Sequence, residues 1–225
     1  MAREERTFAV IGLGAFGATV AAELARFGNH VIGIDADEGH VARAANVLPS
    51  TVILDARDET ALREAGIDRY DVALVAIGTD LEASILATMN LKMLGVDTIW
   101  VKANNKTHHR ILSKLGADRI ILPEQEMGRH TAQMLNNPAV TDYMSLGNGF
   151  SVVNIVVPER LDGRALGSLG IGERHDLRLL GMMRGTEHLA VAAEGTEGTP
   201  MTLEKGDKLI LLGRRADLQQ FGDRL

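Results

Sequence analysis

The chain has no cysteine, which excludes disulfides, thiolate metal sites and cysteine nucleophiles and fits a reducing compartment. Aromatic residues make up only 4% of its 225 residues, too few for platforms that stack nucleic-acid bases. The formal net charge is −6 and no long basic run is present, so no nucleic-acid partner is expected. Long apolar runs are missing too: Val72 to Ile77 is among the longest, far short of a bilayer span. Met1 to Arg6 is polar, so no secretory leader is expected, and any membrane role should act through a partner. Familiar catalytic patterns are also absent. Tyr70 and Tyr143 are followed by Leu74 and Gly147 where a short-chain dehydrogenase needs lysine. There is no G-x-x-x-x-G-K-[ST] phosphate loop and no H-E-x-x-H. The seven histidines are scattered except for His108-His109, which opens a helix pattern and is expected on a solvated surface.

What is present begins with Phe8-Ala9-Val10-Ile11, a strand-like run that leads into Gly12-Leu13-Gly14-Ala15-Phe16-Gly17. A helix pattern follows, then a second apolar run, His30 to Ile34, that ends in Asp35. Strand, glycines, helix, strand and terminal acid in this order form the dinucleotide-binding fingerprint. Gly12 permits a tight turn, Gly14 lets backbone approach a phosphate, and Gly17 lets the helix lie close to the strand. The helix N-terminus offers free N–H groups to an anion. Asp35 is placed to accept from ribose hydroxyls and disfavours a 2′-phosphate, and so NADP. The bland alternative is a tight strand–helix turn without a ligand.

Strand and helix patterns alternate through the first two thirds. Strands are expected at Phe8–Ile11, Val31–Ile34, Thr51–Leu54, Val72–Ile77, Ile99–Val101 and Arg119–Leu122. Helices are expected at Ala15–Phe27, Glu38–Asn46, Glu59–Ala65, Leu81–Leu94, Lys106–Leu115 and Glu124–Leu135. This predicts an α/β, Rossmann-like, doubly wound parallel sheet of six strands in the order 3-2-1-4-5-6, with ligand beyond the carboxyl ends of the strands. Asn136-Asn137-Pro138 would end the last helix, which sets a domain boundary: 1–138 for the nucleotide-binding domain and 139–225 for a small α+β lobe. In that lobe Ser151–Val157, Arg178–Met183 and Lys208–Leu212 read as strands. Gly163–Leu169 and Ala216–Phe221 read as short helices, and Gly195, Gly198 and Pro200 as a loop. A nucleotide site without an evident reaction points to sensing. The alternative is a small NAD-dependent oxidoreductase with an unrecognised substrate site.

The run from Phe8 to Gly17 resembles the start of the KtrA/TrkA family, the cytosolic RCK (regulator of potassium conductance) subunits of bacterial potassium uptake systems. Val75-Ala76-Ile77-Gly78, Ile99-Trp100-Val101-Lys102-Ala103, Gly116-Ala117-Asp118-Arg119-Ile120-Ile121, Pro123-Glu124 and Met127-Gly128 continue the likeness in order. Leu161-Asp162-Gly163-Arg164 and Gly206-Asp207-Lys208-Leu209-Ile210 resemble the family's TrkA-C portion, and the pattern is most similar to the KtrA branch. The resemblance implies a non-enzymatic regulatory subunit, cytoplasmic and peripheral on the inner face of the membrane. It implies an octameric ring of dimers docked on a KtrB/TrkH-type potassium-translocating subunit. ATP and ADP are the implied effectors, with NAD(H) for some relatives.

The same resemblance assigns residues. Asp55 and Ala56, ending the third strand, would hold the adenine edge; Asp55 could equally be a helix N-cap. Ala76, Ile77 and Gly78 would lie beside the nucleotide, or simply pack closely at the switch point. Lys102 can reach a phosphate as a point charge, against the alternative of a surface lysine. Glu124 would sit near the terminal phosphate and help hold a divalent cation, or be an acid in a helix first turn. Two departures matter. Relatives carry arginine at the position of Ala15, which cannot donate a hydrogen bond to a terminal phosphate, so ATP-over-ADP preference weakens and NAD(H) gains weight. Gly172 replaces an arginine of relatives that bind cyclic di-AMP, which disfavours that ligand although His175 remains.

Overall fold

The computed structural model describes residues 6–137, 139–189 and 201–225. Contacts divide the chain into two units, Met1–Glu124 and Gln125–Leu225.

The first unit alternates strand and helix: β1 (Thr7–Ile11), α1 (Ala15–Arg26), β2 (His30–Asp35), α2 (Glu38–Ala44), β3 (Ser50–Ile53), α3 (Glu59–Glu64), β4 (Val72–Val75), α4 (Leu81–Leu94), β5 (Thr98–Lys102), α5 (Lys106–Lys114) and β6 (Arg119–Ile121). The sheet is parallel throughout, in the order β3-β2-β1-β4-β5-β6. Successive strand residues point to opposite faces, and both faces are covered. Ala9, Ile11, Ile34, Val75, Ile99 and Val101 pack with Leu62 of α3, Leu91 of α4 and Leu112 of α5. Val10, Val31 and Leu74 pack on the other side with Ala21 of α1 and Val41 of α2. That two-sided burial is why the strands read as unbroken apolar runs. The expected topology is the observed one; β4 stops at Val75, so Ile77 and Gly78 lie in the loop that follows.

α6 (Pro123–Asn136) crosses the division between the units. The division therefore falls at Glu124/Gln125, ahead of the expected boundary at 138; Pro138 itself lies outside the described residues. The reason is packing: Gln133 and Asn136 of α6 line a cavity with Tyr143, Val153 and Leu218 of the second unit.

The second unit holds β7 (Val140–Gly147), β8 (Phe150–Val156), α7 (Ile171–His175), β9 (Arg178–Arg184), β10 (Glu187–Leu189), β11 (Lys208–Arg214) and α8 (Arg215–Arg224). Its sheet is antiparallel, in the order β10-β9-β11-β8-β7. β8 and β11 alternate buried and partly exposed residues, as a sheet with one covered face requires. Ile155, Met182, Leu209 and Leu211 form its core with Phe221 of α8. Gly163–Leu169 is not the expected helix. Gly163 has φ +76°, and only Leu166–Leu169 closes a 3₁₀ turn. The Gly163 and Leu166 N–H groups donate instead to the carbonyls of Leu203 and Met201. The sequence reading also lacked β7, β10 and α7, and the expected loop at Gly195, Gly198 and Pro200 lies outside the described residues.

Candidate nucleotide-binding site

The turn between β1 and α1 uses its three glycines for three reasons. Gly12 has φ +94°, and a Cβ there would lie 2.9 Å from the Ala76 carbonyl carbon. At Gly17 a Cβ would lie 1.8 Å from the Gly12 carbonyl oxygen, so helix and turn cannot close over any side chain. Gly14 differs. Its backbone is extended at φ −63°, ψ −176°, and a Cβ would meet nothing within 4 Å. Its own packing does not require glycine.

Gly14 is also the N-cap of α1, and no side chain caps that helix. The neighbouring helices are capped: Asp37, Asp58, Asp80 and Asn105 accept from first-turn N–H groups of α2, α3, α4 and α5. The opening N–H groups of α1 thus keep their donor capacity beside the exposed Ala15. Leu13 contributes only backbone here, since its side chain is buried in the core.

Asp35 ends β2 directly beneath this turn. Its Oδ2 accepts from the Leu13 N–H at 2.6 Å, and its Oδ1 from the Asp37 N–H at 2.9 Å. His40 Nδ1 of α2 lies 3.0 Å from the same Oδ2. Sequence reasoning placed Asp35 correctly at the strand end but missed His40, whose position in the first turn after the acid was its only signal.

On the other side of the crevice Lys102 and Glu124 meet. Lys102 Nζ is 2.6 Å from Glu124 Oε1, with the Lys102 side chain only 12% exposed. The ammonium lies 5.7 Å from the centre of the Phe16 ring, and a Cβ on Gly78 would meet it at 3.3 Å. Lys102, Phe16, Gly78 and Glu124 therefore converge, and Lys102 is not a free surface lysine. Its hydrogen bond holds the Glu124 carboxyl below the usual carboxylate range. Ala76 is buried and donates to the Ile11 carbonyl at 2.7 Å, the close packing offered above as its alternative. Asn104 donates to the Gly78 carbonyl at 2.6 Å, joining the loops after β4 and β5.

Asp55 is not a helix cap; Asp58 caps α3. Asp55 instead holds Arg57 in a forked pair, with the shorter contact at 2.6 Å, and this hydrogen bond lowers its pKa. Ala56 is buried, and the carbonyls of Ala56 and Arg57 accept from the buried amide of Asn90 on α4, at 3.0 and 2.9 Å. His108 corrects another expectation. It is fully buried rather than solvated: Nδ1 accepts from the Asn104 N–H at 3.3 Å, Nε2 has no partner among the described residues, and burial pushes its pKa down. In the second unit the His175 ring lies 4.9 Å from that of Phe221, and burial likewise lowers its pKa. Among the described residues no three His, Cys, Asp or Glu side chains gather as a metal site, and no helix is long and apolar enough to cross a membrane.

The TrkA-N domain family matches residues 8–123. Ktr system potassium uptake protein A of Vibrio alginolyticus is 38% identical over 93% of this chain and 93% of its own length. Ktr system potassium uptake protein C of Bacillus subtilis (strain 168) is 38% identical over 98% of both chains. Among solved structures, a GsuK channel superposes with a TM-score of 0.66 at 13% identity, over 96% of this chain and 38% of that one. A GsuK channel bound to NAD superposes with a TM-score of 0.51 at 22% identity, over 99% and 39%. The chain thus spans less than half the length of these channel chains, but nearly the whole of the two uptake proteins.

Proposed function

Because the chain belongs to the KtrA/TrkA family, we propose that it is a nucleotide-sensing regulatory subunit that controls potassium flux through a separate membrane subunit. The observation that carries the nucleotide reading is the uncapped N-terminus of α1, with open space above Gly14, Asp35 beneath the turn and Lys102 across the crevice. A diphosphate would take the N–H groups of α1 where its neighbours have a capping Asp or Asn side chain. The ribose would bond to Asp35, the adenine edge would lie by Asp55 and Ala56, and Ala76 to Gly78 would border the phosphates. A terminal phosphate would compete with Glu124 for Lys102, freeing that carboxylate to help hold a divalent cation. Ala15 adds no donor, so ATP and ADP are expected to differ less than in arginine-bearing relatives, and NAD(H) stays a candidate effector.

Gating would proceed by population shift. α4 leaves Leu81, Met89 and Met93 at 44%, 40% and 64% exposure, an apolar stripe suited to a second copy in a ring. A tenfold change in gating needs about 1.4 kcal/mol of differential affinity between two ring shapes, which several coupled sites can supply. A ring of dimers on the inner membrane face, residues 1–138 sensing and 139–225 completing the assembly, is the arrangement this reading implies.

The test reconstitutes the protein with its potassium-conducting partner in liposomes and follows flux with ATP, ADP and NADH. Nucleotide-dependent flux is expected. Flux that ignores both the protein and every nucleotide rejects the proposal, and NADH turnover with a carbonyl substrate would point to an oxidoreductase. Asp35→Ala should weaken nucleotide binding by about tenfold or more, since a hydrogen bond to a charged group is worth about 1.5–3 kcal/mol.

A further inference from the structure

Asp35 already serves three donors of the protein: the Leu13 and Asp37 N–H groups and the His40 ring. A carboxylate offers about four lone-pair sites. A ribose brings two neighbouring hydroxyls, so full engagement by both requires one existing partner to leave. The two backbone groups cannot, because Leu13 lies in the glycine turn with its side chain buried and Asp37 is the N-cap of α2. His40 can: its ring moves on side-chain torsions alone, and 36% of the side chain is exposed. We propose that His40 is a positioning and gating residue of the site, its imidazole standing on Asp35 where a ribose hydroxyl would bond and leaving when nucleotide binds. This rests on the reading of Asp35 as the ribose acid.

The direction of control follows from charge. A neutral imidazole gives Asp35 one hydrogen bond; an imidazolium gives an ion pair as well, and harder competition for the ribose. Imidazole is the side chain that changes charge between about pH 5 and 8. α2 packs against β2 and β3. β3 carries no titratable side chain, and β2 carries Asp35 and, at its far end, His30. α2 itself carries Glu38 and Arg43, and its cap Asp37 accepts from the His40 backbone N–H at 2.8 Å. An imidazolium that leaves Asp35 on binding loses its ion pair there, so nucleotide binding disfavours the charged ring and affinity rises with pH.

Calorimetry of the native chain with NAD and ADP, at about pH 5.5 and about pH 8 in buffers of different ionisation heat, tests this. NAD is the cleaner probe because its pyrophosphate keeps its charge over that range. Affinity should rise by about three- to tenfold with pH, with net proton release. His40→Gln keeps a donor but no titration and should flatten the dependence. His40→Ala should bind more tightly than the native chain at the acid end. A native affinity that ignores pH, or the same dependence in His40→Gln, overturns the proposal while leaving the nucleotide site intact. Failure of both nucleotides to bind at any pH overturns the site reading, and the role of His40 with it.

Discussion

Lys102–Glu124 in the first unit and Arg184–Asp207 in the second are ion pairs of similar length, 2.6 and 2.8 Å, built in opposite senses. In the first the cation is nearly buried and the carboxylate is 66% exposed. In the second the carboxylate is 1% exposed and the guanidinium 34%. Asp207 accepts from Nε and Nη2 of Arg184 and from the Glu204 N–H, while Arg184 also reaches the Thr202 carbonyl and Glu204. Both acids are held below the usual carboxylate range, each chiefly by the hydrogen bond from its cation. A sheltered cation with an exposed partner can exchange it for another anion at little cost. A sheltered anion with its lone pairs occupied cannot. The first arrangement suits ligand exchange and the second fixes shape.

Four substitutions would break or sharpen this contrast. Gly17→Ala forces a methyl into the Gly12 carbonyl and should cost more than about 4 kcal/mol, seen as loss of the folded first unit in thermal unfolding of the full chain. Arg184→Ala strands the buried Asp207. A cost of about 3 kcal/mol is expected, at the low end for a broken buried pair because Arg184 is partly exposed. The sign with pH is fixed: a depressed carboxylate stabilises above its unfolded value, and that contribution is lost as pH falls from there through its folded value. The native chain should thus lose stability below about pH 4, and Arg184→Ala should lose less. Gly14→Ala should leave stability within about 0.5 kcal/mol yet lower nucleotide affinity about tenfold, a split that denaturant titration and calorimetry separate. Glu124→Gln should be mildest, under about 1 kcal/mol in stability, with its effect confined to the ATP-to-ADP ratio and its cation dependence. If Glu124→Gln destabilised as much as Arg184→Ala, the two pairs would be doing the same job.

The first unit was legible in the sequence because parallel strands covered on both faces read as apolar runs, and because Gly12 and Gly17 are demanded by backbone contacts. β7 was not. It is an edge strand whose residues after Val140 are mostly exposed, so its pattern carries little periodic signal. The site was half legible. Asp35 and the turn announce themselves at fixed offsets, but Lys102 and Glu124 meet only through the fold. Arg57 folds back on Asp55 within a loop that has no periodicity. His108 misled because its sequence neighbours are polar; burial follows helix face rather than neighbourhood.

Asn90 gives α4 a second duty. The amide that reaches the Ala56 and Arg57 carbonyls lies on the same helix as the exposed Leu81, Met89 and Met93. Hydrogen bonds tolerate only a few tenths of an ångström before they weaken, and unpaired buried carbonyls are costly. Any push on the apolar stripe that slides α4 along its axis must therefore drag the Asp55 loop with it. A load on that outer face would then be felt in the loop after β3, where Asp55 and Ala56 lie.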